Sequence, residues 1–214
     1  MHGFEDRSSA GRLLAARLAT MNLPDPVVLA LPRGGVPVGY EIARTLKAPL
    51  DLVLVRKIGV PFQPELAAAA VVDGERSDIV LNEEVMSWAG LSREAFDGLV
   101  QSELHEIERR RTAYLSGRAP VSVVGRTAIV VDDGIATGTT VRAALKALAR
   151  RGAKRLVLAV PVAPADEIPS LGSLVDDVVC LITAESFFGI GDFYRDFHQL
   201  SDREVVRLLD EART

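Results

Sequence analysis

The chain has 214 residues, 48% of them hydrophobic and 5% aromatic, and a formal net charge of −4. Its length and apolar content suit one domain with a sizeable core, and the acidic balance argues against general nucleic-acid binding, which needs a basic face. The single cysteine, Cys180, excludes an intrachain disulfide and fits a reducing compartment. The opening residues Met1-His2-Gly3-Phe4-Glu5-Asp6 have neither a basic n-region nor an apolar h-region. The longest apolar run, residues 66–72, is too short to span a bilayer. The expectation is a cytoplasmic protein with no signal peptide and no membrane partner.

Residues 10–21 place Leu13, Leu14, Ala15 and Leu18 at helical spacing, and Asn22, Pro24 and Pro26 end that helix. The run Val27-Val28-Leu29-Ala30-Leu31 reads as a first buried strand. The tight loop Pro32-Arg33-Gly34-Gly35-Val36-Pro37 follows, then a helix over residues 38–46 with Ile42, Ala43 and Leu46 inward. Leu52-Val53-Leu54-Val55 reads as a second strand running straight into Arg56-Lys57. Strand, loop, helix and strand in that order make a βαβ unit, so the sheet should be mainly parallel. In residues 58–90, Gly59, Pro61, Pro64 and Asp73-Gly74 punctuate strand-like pieces at 68–72 and 79–81, the pattern of an antiparallel hairpin or flap. Residues 92–116 read as one long helix, capped by Ser92 and stopped at Gly117. Phe96, Leu99, Val100, Leu104, Ile107 and Tyr114 form its apolar stripe. Its charges, Glu103, Glu106, Glu108 and Arg109-Arg110-Arg111, read mostly as a solvated face with pairs such as Glu106–Arg110. Contact of the triple arginine with an acidic partner is the minor alternative, and His105 reads as a surface residue.

The informative stretch is Thr127-Ala128-Ile129-Val130-Val131-Asp132-Asp133-Gly134-Ile135-Ala136-Thr137-Gly138-Thr139-Thr140. It opens as a strand buried on both faces of a parallel sheet. Two carboxylates stand where that strand must stop, and a helix with Val141, Ala144, Leu145 and Leu148 inward follows the glycines and hydroxyls. Ligands of open α/β sheets sit beyond the carboxyl ends of strands, often at the N-terminus of the next helix. Backbone N–H groups with the hydroxyls of Thr137, Thr139 and Thr140 would cradle the phosphate of a phosphorylated sugar. Asp132 and Asp133, acceptor-only when ionised, would hold its hydroxyls. A plain turn with an N-cap accounts for one acid and one threonine, but not for two acids and three threonines around two glycines.

Two further pieces lie at strand ends. In Leu31-Pro32-Arg33-Gly34-Gly35 the glycines admit a phosphate to the backbone and Arg33 supplies forked donors. Arg56 and Lys57 add cations suited to a polyphosphate in an acidic chain. Downstream, Arg150-Arg151-Gly152 close the helix after the motif. Residues 156–160 form a strand ended by Pro161 and Pro164, and residues 178–182 form the last strand, with Cys180 as a small core residue. An aromatic loop over residues 185–197 follows, in which Phe187 or Phe188 either stacks on a planar base or packs as a lid. Ser201-Asp202-Arg203-Glu204 is a capping box opening a helix with Val205, Leu208 and Leu209 inward.

On these residues the chain resembles the type I phosphoribosyltransferases, whose signature is an aliphatic run, two acids and a Thr-Gly before a helix. The resemblance covers about residues 27–197. It implies an α/β fold: a doubly wound, mainly parallel sheet with a flap or hood. A single domain then occupies residues 1–214, with the flap and an inserted helix over 58–117 and a C-terminal loop and helix over 185–214. The long helix at 92–116 departs from the family, which has only a flexible loop there. Leu-Pro-Arg-Gly-Gly is similar to the pyrophosphate loop of the purine-type members, which implies a cis peptide before Arg33. Arg-Lys pairs follow the second strand in several members.

The reaction implied is transfer of the phosphoribosyl group from 5-phosphoribosyl-1-pyrophosphate (PRPP) to a nitrogen acceptor, such as a nucleobase, with release of pyrophosphate. By the same resemblance Ala136, Thr137, Gly138, Thr139 and Thr140 with Gly134 take the 5-phosphate loop, and Asp132 and Asp133 the ribose. Arg33, Gly34, Gly35, Arg56 and Lys57 take the pyrophosphate, and Phe187 the acceptor. Asp133 is implied as a proton acceptor beside Arg33 and Lys57 in the catalytic set. Mg²⁺ is expected on ligand oxygens and water, as is usual for that ion, without a protein metal site. Purine-using relatives carry a lysine where this chain has Pro161-Val162-Ala163-Pro164, which speaks against an oxopurine acceptor. The alternative is a non-catalytic PRPP sensor that keeps the pocket, and a homodimer is implied by family habit. Three scattered histidines, His2, His105 and His198, lack metal spacing, and neither a P-loop nor a Gly-x-Ser-x-Gly elbow is present.

Overall fold

The computed structural model describes residues 3–60, 63–74, 77–89, 93–116 and 118–213. In chain order the elements begin α1 (Arg7–Ala19), β1 (Pro26–Ala30), α2 (Gly35–Leu46), β2 (Leu50–Leu52), β3 (Val55–Val60), β4 (Gln63–Val72), β5 (Asp78–Leu81) and α3 (Glu83–Ala89). They continue α4 (Arg93–Leu115), β6 (Thr127–Val131), α5 (Thr139–Arg150), β7 (Arg155–Pro164), α6 (Glu167–Gly172), β8 (Asp177–Ala184), a 3-10 turn (Ile190–Phe193) and α7 (Asp202–Glu211).

Five strands form a parallel sheet in the order β2-β1-β6-β7-β8. Alternation along each strand sends successive side chains to opposite faces. Val28, Ile129, Val131, Val157 and Ala159 pack on Leu14 and Leu18 of α1 and on Val38 and Ile42 of α2. Leu29, Val130, Leu158 and Val160 turn the other way, onto Val141, Ala144, Leu145 and Leu148 of α5. A sheet covered on both faces needs continuously apolar strands, and all five residues of β6 are buried. The chain leaves β1 through α2 toward β2, and leaves β6 through α5 toward β7 on the opposite face. Strand order therefore reverses between β1 and β6, the position at which open α/β sheets bind ligands.

The hood is a second, antiparallel sheet, β3-β4-β5. Ile58 and Val71 on one side of it pack with Val100, Ile107 and Tyr114 of α4, and with Val205, Leu208 and Leu209 of α7. Ala70, Val72 and Val80 on the other side join the cluster under α5. The expected flap and long helix are thus present; the expected cap Ser92 and stop Gly117 lie outside the described residues.

Three expectations change. The second parallel strand is the short β2, and Arg56-Lys57 belongs to β3 of the hood rather than to the end of a parallel strand. Asp73 explains the break: its carboxylate accepts the Leu54 amide at 2.8 Å, fixing the chain where it passes from one sheet to the other. Pro161 does not end β7, because pairing with β8 skips it and resumes at Val162↔Ile182. Finally, α4 is not a free solvated face. Glu106 does bind Arg109 and Arg110, at 2.8 and 2.7 Å. Arg111, however, is drawn into a buried pair with Asp73, and Glu103 pairs with Arg56.

Candidate active site at the carboxyl ends of β1 and β6

The loop after β6 begins with two acids that differ sharply in their surroundings. Asp133 is buried, and its Oδ2 accepts Arg7 Nε at 2.7 Å. Arg7 also donates to the His198 carbonyl at 2.9 Å and lies 3.8 Å above the centre of the Phe197 ring. The Tyr194 hydroxyl donates to the Asp133 carbonyl at 2.6 Å, and burial pushes the Tyr194 phenol well up. Residues from both ends of the sequence thus clamp this one loop position. Asp132 is only half-buried, and its Oδ1 accepts the Asp133 amide at 2.9 Å. Burial and the adjacent negative charge of Asp133 raise the Asp132 carboxyl well above the usual carboxylate range.

The loop after β1 abuts the same carboxylate. A Cβ at Gly34 would lie 2.1 Å from Asp133 Oδ2, and one at Gly35 would lie 2.6 Å from the Val131 carbonyl oxygen. No side chain fits where the two loops touch, and the Leu31 amide closes the seam on the Val131 carbonyl at 2.9 Å. The peptide between Pro32 and Arg33 is cis. Arg33 Nη1 donates to the Leu200 carbonyl at 2.7 Å, and Asp202 Oδ1 lies 3.8 Å away. Asp202 Oδ1 also accepts the Tyr114 hydroxyl at 2.8 Å.

Beyond Asp133 the loop turns at Gly138, whose φ of +66° is open to glycine at little cost. Ala136 and Thr137 are exposed, Thr139 and Thr140 half-buried at the start of α5, and the Thr137 and Thr139 hydroxyl oxygens stand 3.3 Å apart. Arg142, one turn into α5, holds this loop from behind: it donates to the Thr137 carbonyl at 2.8 Å and to Glu167 at 2.5 Å. The result is a helix N-terminus with exposed backbone and hydroxyl groups, the arrangement that suits a phosphate.

The structure therefore brings Asp132, Asp133, Gly34, Gly35 and the loop 136–140 together. Other expected residues are placed differently. Gly134 is buried, and a Cβ there would lie 2.6 Å from Ile190, so the position leaves no room for a side chain. Arg56 is taken up by Glu103 at 2.6 Å. Lys57 is exposed, makes no ion pair among the described residues, and pairs in register with Ala70, on the side of the hood that faces α5. Phe187 is half-buried, stacked on Phe193 at 5.7 Å, whereas Phe188 is 94% exposed. Asp133, expected as a proton acceptor, is a buried carboxylate held by the Arg7 guanidinium and pressed on Gly34, an arrangement that braces the loop.

Sequence reasoning missed Arg7, Arg142 and Tyr194. Arg142 left a trace, since a cation in the first turn of a helix opposes the macrodipole and so needs another purpose. Arg7 left none, standing 126 residues from its partner.

Known proteins resemble the chain in sequence and in fold. Residues 8–198 match the family model of the phosphoribosyl transferase domain. Two Mycobacterium tuberculosis proteins, from strains CDC 1551 and H37Rv, are named provisionally as phosphoribosyl transferases. Each is 48% identical over 209 residues, covering 98% of this chain and 47% of the relative. The chain thus spans about half the length of these curated relatives. The crystal structure of TT1426 from Thermus thermophilus superimposes with a TM-score of 0.86 at 37% identity, covering 99% of both chains. No helix among the described residues is long and apolar enough to cross a membrane. On the match over residues 8–198, the chain belongs to the phosphoribosyl transferase family.

Proposed function

We propose that this chain transfers the phosphoribosyl group of PRPP to a nitrogen acceptor, with pyrophosphate leaving. The observation that carries the reading is the meeting of two loops at the switch between β1 and β6, one acidic and hydroxyl-rich, the other holding Arg33 and Gly34. In this reading the amides at the start of α5, with Thr137, Thr139 and Thr140, hold the 5-phosphate. Asp132 accepts from the ribose hydroxyls, and Asp133 with Arg7 sets its place. Arg33, the Gly34 and Gly35 backbone and Lys57 take the pyrophosphate. The anomeric carbon passes through an oxocarbenium-like state, so catalysis rests on positioning and on stabilising the departing charge.

Among the described residues no three His, Cys, Asp or Glu side chains are grouped to hold a metal ion. Asp132 offers a single carboxylate at the donor loop, a donor set that fits Mg²⁺ carried mainly by substrate oxygens and water. When bound, that ion would supply neutralisation of the pyrophosphate charge. The acceptor is placed in the cavity of about 460 Å³ beyond β7 and β8, beside Ala136 and Phe187. Among the described residues its lining includes Asp166, Glu167 and Glu185 and no side chain that donates hydrogen bonds. A ring bearing N–H groups is favoured there over one bearing several carbonyls, whose oxygens would go unpaired.

The test is pyrophosphate release from PRPP and Mg²⁺ across a panel of amino- and oxo-substituted nitrogen heterocycles. Turnover with an amino-substituted ring, and loss of PRPP affinity by about tenfold or more in Thr137→Ala/Thr139→Ala, supports the reading. Tight PRPP binding with no release across the panel would instead favour a PRPP sensor.

A further inference from the structure

Helix α4 stands where the resemblance to the family leads one to expect a loop, and nothing in the donor site uses it directly. It nevertheless reaches both cationic elements on the pyrophosphate side. Near its middle, Glu103 binds Arg56 Nε at 2.6 Å, and Arg56 adjoins Lys57 on β3. Near its end, the Tyr114 hydroxyl donates to Asp202 at 2.8 Å; Asp202 in turn faces Arg33 at 3.8 Å, beside the Leu200 carbonyl that Arg33 binds at 2.7 Å. Along the same helix Val100 and Ile107 are buried against the hood and α7 cluster, so the helix cannot slide without emptying the core.

We propose that α4 is the scaffold that positions the two cations assigned above to the pyrophosphate: Glu103 anchors β3 through Arg56 on the face opposite Lys57, so that the strand backbone places Lys57, and Tyr114 acts through Asp202 on Arg33. Neither Glu103 nor Tyr114 touches substrate; both are positioning residues. Arg33, in the turn after β1, and Lys57, on β3 of the hood, would otherwise be aimed independently. A helix packed on both elements fixes their separation, which matters because a small misplacement of a charge-stabilising group costs far more rate than binding. A role in stability alone leaves unexplained why each α4 contact ends one residue or one carboxylate away from a cation assigned to the pyrophosphate. Arg33 uses one of its five N–H donors on Leu200, which leaves the rest of the fork for an anion.

The inference rests on the proposed transfer reaction. The experiment is steady-state pyrophosphate release by the full chain with PRPP and Mg²⁺, using Glu103→Gln and Tyr114→Phe, which keep size and shape. Each should lower kcat by about tenfold to a hundredfold, with acceptor KM and melting temperature little changed. In an Arg33→Lys background Tyr114→Phe should add no further loss, and in a Lys57→Ala background neither should Glu103→Gln. Losses that multiply independently of those backgrounds, or variants that turn over like wild type, overturn the proposal alone. A wild type that neither releases nor binds pyrophosphate by titration calorimetry overturns the transfer reading, and this proposal with it.

Discussion

Asp133 and Arg7 form their ion pair with both side chains about 10% exposed, while Asp132 next to it keeps an accessible edge. A charge left alone in such surroundings is expensive. Asp133→Asn, which strands the Arg7 guanidinium, should therefore cost roughly 3–5 kcal/mol of stability in urea unfolding. If Asp133 is a brace, turnover per folded molecule should fall less than about a hundredfold, whereas loss of a general base removes 10² to about 10⁴. Gly138 offers a second test at this scale. Alanine there must adopt φ near +66° and would approach Arg142 Nη1 to 2.3 Å. Strain of about 1–2 kcal/mol is expected, together with weaker PRPP binding by calorimetry. Gly98, exposed on α4 with open space around its Cα, is the control: Gly98→Ala should raise stability by about 0.5–1 kcal/mol and leave binding alone.

The hood is held to the parallel sheet through Asp73, which turns the chain after β4, accepts the Leu54 amide and pairs with Arg111 of α4. Burial is the largest influence on its carboxyl, outweighing Arg111 and the amide, and raises it from 3.8 to about 6. An acid raised on folding keeps its proton longer in the folded chain than in the unfolded one. Its contribution therefore favours the folded state below pH 3.8 and is lost as the pH rises to about 6. Thermal melts of wild type should show this falling component between those values, and Asp73→Asn should flatten it. A wild-type curve matching the Asn variant across that range would refute the assignment. At the level of elements the sequence was a good guide wherever periodicity was strong: α4, α7 with its Ser201–Glu204 capping box, and β6 all stand where the pattern put them. It failed at β2–β3, because Leu52-Val53-Leu54-Val55 is one apolar run in sequence, and only the Asp73 contact divides it between two sheets.

Across the whole molecule, stability should be uneven. β1, β6 and β7 lie inside a sheet covered on both faces, whereas β3 and β5 are edges of a small sheet tied on by Arg111–Asp73, Arg151–Asp78 and Arg56–Glu103. Amide hydrogen exchange should be at least about tenfold faster in β3 and β5 than in β6, and PRPP should slow it at residues 136–140 and in the hood. Uniform protection across both sheets would contradict this. The loop proposed to take the phosphoribosyl donor was legible in the chain because it is local: strand, acids, glycines and threonines follow one another over residues 127–140 and build a helix N-terminus. What Asp133 does was not legible, because its partners Arg7 and Tyr194 arrive from opposite ends of the sequence. Nor was the fate of Arg56, since a basic residue on a strand gives no sign of whether an anion or Glu103 will meet it. By itself the sequence determined the parallel sheet, the acid- and threonine-rich loop after β6 and the length of α4, all set by periodicity and nearest-neighbour chemistry. Only the tertiary structure decided which charges are spent inside the protein and which are left for a ligand, because burial and long-range pairing set the worth of a charge, and neither is a property of neighbours along the chain.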